Sequence, residues 1–139
     1  MPRLLTKILT TGASLVSIGF GVWHFFVPKI WNWYSYMDAA ATELAVAVRA
    51  VNVFFSLSLV LFGLVDIFLV FDPRGRKYPL MIVLGASCIL WLVRVLFQII
   101  HPQGSMRPGL QYGMLSAFAI VSLCYLISFL LTAVDKSLG

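Results

Sequence analysis

Apolar positions run almost unbroken through four stretches of the chain, about 8–27, 44–71, 80–100 and 110–134, with polar clusters between them. A helix needs about 20 apolar residues to cross a hydrocarbon core, and each stretch has that length. The short alternating segments of a membrane β-barrel are missing. Pro28, Pro73, Pro79, Pro102 and Pro108 fall at the edges of the stretches, where proline starts or ends a helix at low cost. Pro28 is expected to stop the first helix, "DPRGRKYP" the second and "HPQG" the third. Short connections make neighbours antiparallel. The pattern therefore predicts an all-α membrane protein, with four transmembrane helices in an antiparallel bundle and a single domain over 1–139.

Polar residues inside the stretches follow helical spacing. Ser14, Ser17, Gly21 and His24 form one stripe. Arg49, Asn52, Ser56, Gly63 and Asp66 form a second, and Ser87, Trp91, Arg94, Gln98 and His101 a third. Polar stripes are costly against lipid and should face the bundle interior, and their small residues permit close helix approach. The connection between the first two helices, "PKIWNWYSYMDAAATE", gathers Trp31, Trp33, Tyr34 and Tyr36. Such residues suit the headgroup level and fit either an interfacial anchor or a lid over a pocket.

Composition agrees with membrane burial. The chain is 61% hydrophobic and 11% charged, with mean hydropathy +0.98, whereas soluble domains carry about 25% charged residues. The net charge of +5 is spread along the ends of the apolar stretches, so no nucleic-acid partner is implied. Arg3, Lys7, Arg74, Arg76, Lys77 and Lys136 flank one side, against Lys29 and Arg107 on the other. That bias predicts a multi-pass cell-membrane protein with both termini cytoplasmic. The N-terminal run has no clear small-residue cleavage site and is expected to be a retained helix rather than a signal peptide. Cys88 and Cys124 lie within apolar stretches and fit buried free thiols.

The candidate chemistry gathers in the outer half of the bundle. Arg49 and Arg94 lie about 7–9 Å inside the outer ends of consecutive helices, with Asn52 and Gln98 one turn away. Asp66 is about 25 Å from Arg49 along the helix, too far to pair with it, and would instead reach Arg74 or Arg76. Glu43 is then the one carboxylate left for two guanidinium groups. An arginine keeps its proton, and its fork suits phosphate or carboxylate. The expected ligand is thus an anionic small molecule or a lipid headgroup, held by Arg49, Asn52, Arg94, Gln98 and Trp91. Trp23, Trp31 and Trp33 would join Trp91 as walls or gate. The bland alternative has the arginines snorkelling to headgroups or locking helices together. His24, Glu43 and His101 have the side chains of a proton-transfer set, which leaves enzymatic chemistry open. They also have the ligand types of a haem or metal site, but no metal-ligand spacing joins them and neither group is expected. No hydrolase motif is present; Ser116, Ser122 and Ser128 fit packing roles.

In size, span number and a glycine-bearing first helix that ends in "GFGVWHFFVP", the chain resembles the small four-helix bacterial membrane proteins grouped as DoxX-like. The resemblance covers architecture and implies a redox or quinone-linked membrane role, with no functional residue carried over. Three functions compete: an anionic-ligand or lipid binder, an oligomeric small transporter or channel, and an accessory subunit of a membrane complex.

Overall fold

The four apolar stretches form four long helices in the computed structural model, which describes residues 2–74, 76–104 and 107–135. They are α1 (Pro2–Ile30), α2 (Thr42–Val70), α3 (Lys77–Ile100) and α4 (Pro108–Val134). All four are long and apolar enough to cross a membrane. Lys136, counted above for orientation, lies outside the described residues. All four helices begin before their apolar stretches, and at two of these starts Pro2 and Pro108 fit a first turn whose N–H groups have no intrahelical partner. Pro28 does not stop α1, which runs two residues further. So near a C-terminus, proline costs one internal hydrogen bond rather than the helix.

Contacts at the chain ends fix the arrangement. Arg3 pairs with Asp135 across 3.4 Å. Lys77 Nζ donates to the carbonyls of Ala133 (2.8 Å) and Asp135 (3.0 Å), and Lys7 lies over the Phe71 ring. The start of α1, the α2–α3 connection and the end of α4 therefore share one end of the bundle, here called the terminal end. The other two connections share the opposite, or loop, end. At the terminal end Asp72 accepts from the Arg74 backbone N–H and from Arg76 Nε, each at 3.0 Å. These bonds hold its carboxyl below the usual carboxylate range, the backbone N–H contributing most.

The interior is polar for a protein core and the exterior apolar. Ser14, Ser17, Ser56, Ser87, Ser122 and Ser128 are buried, while Phe54, Phe68, Ile82 and Val134 face outward. That is the partition expected where lipid, not water, surrounds the bundle. α1 packs most extensively on α2 and α3 on α4; α1 also meets α4, and of these four neighbouring pairs α2 and α3 touch least. Glycine makes the α1–α2 contact possible at two points. A Cβ at Gly21 would lie 2.7 Å from the Ser56 carbonyl oxygen, and one at Gly63 would lie 2.8 Å from that of Ser14.

Candidate functional site

His24 lies one turn before Pro28 on α1. Proline offers no N–H to the carbonyl four residues back, so the His24 carbonyl needs a donor from elsewhere. Asn52 of α2 supplies it, Nδ2 donating across 3.2 Å. That bond orients the amide and turns its Oδ1 to the His24 ring, 2.7 Å from Nδ1. A carbonyl oxygen only accepts, so Nδ1 carries the hydrogen, and in the neutral ring Nε2 keeps the lone pair. Asn52 is in turn buried behind Ser56, whose hydroxyl donates to its backbone carbonyl at 2.6 Å. The imidazole is held edge-on against Phe55, with centroids 4.8 Å apart.

A second clasp forms across the α3–α4 turn. Gln98 Nε2 donates to the Gln103 carbonyl (3.0 Å), and the Gln103 N–H donates to Gln98 Oε1 (3.3 Å). Gly104, at φ 76°, turns the chain there, a conformation glycine adopts without strain. The clasp presents the Gln103 amide oxygen to Arg94, whose Nη2 donates to it at 2.5 Å. The Arg94 guanidinium lies 4.6 Å over the Phe118 ring and 6.0 Å from that of Phe20. Its Nε is buried and has no hydrogen-bond partner among the described residues. The charge is thus offset by ring faces and one amide, with no carboxylate paired to it among the described residues.

His24 and Gln103 both border a cavity of about 230 Å³ at the loop end, with Phe20, Trp23, Trp31 and Trp33 among its other walls. A single 3-10 turn, Trp33–Tyr36, folds the aromatic connection over it, entered through Asn32 in the left-handed region (φ 50°, ψ 44°). Asparagine tolerates that region better than most residues. Trp23 and Trp31 are 39% and 40% exposed, so these two walls of the cavity also reach the bundle surface.

The structure brings the sequence candidates together in two groups. His24 and Asn52 form one, Arg94 and Gln98 the other, joined through Gln103. Trp91 lies beneath them in the core, its ring 6.0 Å from Phe20 and its Nε1 donating to Ser17 Oγ at 3.0 Å. Arg49 stands apart; it is exposed, and its guanidinium sits 5.4 Å over the Tyr34 ring. Glu43 is exposed in the first turn of α2 and forms no ion pair among the described residues. His101 is also exposed, its ring 5.2 Å from Phe97. No three His, Cys, Asp or Glu side chains converge among the described residues. The cavity lies between α1, α4 and two connections, not between α2 and α3. Gln103 and Phe20 are the participants that the polar stripes did not reveal: one sits in a turn, the other is an ordinary apolar residue by type. No protein-family model, curated protein or solved structure matches the chain.

Proposed function

We propose that this integral membrane protein binds an anionic small molecule or lipid headgroup in the loop-end cavity. The observation that carries the reading is Arg94: a half-buried guanidinium with no carboxylate partner among the described residues, bonded to the side chain of Gln103, which borders the cavity. An anionic group entering beside His24 would displace that amide and give the guanidinium a bidentate partner. The tryptophans would cover the ligand's apolar part. Ligand pockets for drug-sized molecules run from about 300 Å³ upward. A cavity of about 230 Å³ suits a headgroup or a small acid, with any longer apolar portion leaving between Trp23 and Trp31. His24 is the sole titratable side chain in the described wall, which favours binding over acid–base turnover. The segment behind the DoxX-like resemblance, "GFGVWHFFVP", supplies Phe20, Trp23, His24 and Val27 to this wall. The lysine and arginine bias supports a cytoplasmic terminal end, which opens the cavity toward the outer leaflet.

The test uses tryptophan fluorescence of the protein in zwitterionic nanodiscs, titrated with short-chain phosphatidic acid and, for comparison, uncharged diacylglycerol. Phosphatidic acid is expected to bind and diacylglycerol not. Arg94→Gln should weaken binding at least about tenfold, or about 1.4 kcal/mol, while Arg49→Gln stays within about twofold of the parent. Equal binding by Arg94→Gln and the parent protein would reject the reading.

A further inference from the structure

Asp66 belongs to no part of the loop-end site. It lies one turn from the terminal end of α2 and is 0% exposed. The arginines nearest in sequence do not reach it: Arg76 pairs with Asp72, and the Arg74 backbone turns to the same carboxylate. Four helices meet at Asp66 instead. Ser87 of α3 donates to Oδ2 at 2.8 Å. The Tyr125 hydroxyl of α4 interacts with the same carboxyl and lies 3.2 Å from Ser14 Oγ and 3.3 Å from Ser17 Oγ on α1. Asp66 Oδ1 has no hydrogen-bond partner among the described residues.

Charge decides what this junction holds. A carboxylate here would be a buried anion with one hydrogen-bonded oxygen, one bare oxygen and no cationic partner among the described residues. That is far costlier than a neutral acid in the same place. Tyr125 is the titratable group shown against it. α1 and α3 contribute neutral serine hydroxyls, and no histidine, lysine or arginine is paired with it among the described residues.

Buried hydroxyls also line up between the terminal end and this junction. On α1, Thr6, Thr10, Ser14 and Ser17 follow one another at helical spacing, all buried. On the adjoining face of α4, Ser128 and Thr132 are buried too. Thr6 and Thr132 border a cavity of about 190 Å³ at the terminal end. Thr10 Oγ1 and Ser128 Oγ have no hydrogen-bond partner among the described residues, so both retain bonding capacity between that cavity and Tyr125.

We propose that Asp66 is a proton-binding site, loaded and emptied from the terminal end along this hydroxyl column, with Ser87 and Tyr125 as its immediate shell. Asp66, Ser87 and Tyr125 are not among the residues that line the loop-end cavity.

Dicyclohexylcarbodiimide tests it on the unmodified protein, since this apolar reagent adds to a carboxyl group that holds a proton in a membrane interior. Intact-mass and peptide analysis in nanodiscs should find one adduct, on Asp66, with Asp38, Glu43, Asp72 and Asp135 unlabelled. Labelling should fall roughly tenfold or more as the pH rises from about 5 to about 9, as one titrating carboxyl requires. Ser87→Ala and Tyr125→Phe should each displace the midpoint of that profile. The assignment is overturned if Asp66 stays unlabelled throughout, labels independently of pH, or keeps the same profile in both variants. Protection by sodium at fixed pH would also overturn it, by making the occupant a metal cation.

Discussion

Because Pro28 has no N–H, the backbone carbonyl of His24 depends on a side chain of another helix. Asn52 satisfies it and, with the same amide, selects the imidazole tautomer. Asn52→Leu therefore strips both the carbonyl and Nδ1–H of their partners at once. The expected loss is about 1–3 kcal/mol of stability, the range for leaving a buried polar group unsatisfied, read as a lower thermal midpoint in detergent. Imidazole ¹⁵N shifts should report the Nδ1–H form in the parent protein and a tautomer mixture in the variant. An unaltered ¹⁵N pattern would remove Asn52 from this role. Both residues were visible in the sequence as polar positions on inward stripes, but periodicity identifies a face and leaves the partner open. The two arginines illustrate the difference. Arg49 and Arg94 have similar depth along their helices, yet one guanidinium meets the Tyr34 ring and the other those of Phe118 and Phe20. Counting carboxylates in the sequence cannot anticipate that aromatic faces share the work of offsetting the charge.

At the scale of elements, the α1–α2 pair depends on absent side chains. Gly21→Ala and Gly63→Ala would each press a methyl group against a backbone carbonyl of the facing helix, at 2.7 and 2.8 Å. A carbonyl cannot rotate aside, so the helices must separate. Each substitution should cost about 1–3 kcal/mol, the usual range for overpacking. Gly19→Ala, on the same helix with nothing within 4 Å of the added carbon, should leave the thermal midpoint unchanged or slightly raised. Equal midpoints for all three variants would contradict the close approach. The helices themselves were legible because twenty apolar residues leave few alternatives. Their ends were less so: α1 starts six residues before the apolar run and passes through Pro28, since helical hydrogen bonding continues into flanking polar residues that hydropathy discounts.

For the whole molecule, the order of helices around the bundle was not written in the hydropathy. All four are apolar on most sides, so only contact detail distinguishes the tight α1–α2 and α3–α4 pairs from the slack meeting of α2 with α3. The charge bias, by contrast, makes a prediction about the entire bundle. Lys29→Cys should react with a membrane-impermeant maleimide added to intact cells, and Lys7→Cys only after permeabilisation. Cys88 and Cys124 should stay silent to that polar reagent in both states, being buried or half-buried among apolar side chains. The opposite labelling would turn the molecule over. Finally, the tie between Arg3 and Asp135, reinforced by Lys77, brings the start of α1 and the end of α4 side by side in space. The four helices could be read in a different order, with a short bridge from Asp135 to Arg3 and a cut in the aromatic connection, and every packing surface would keep its mate.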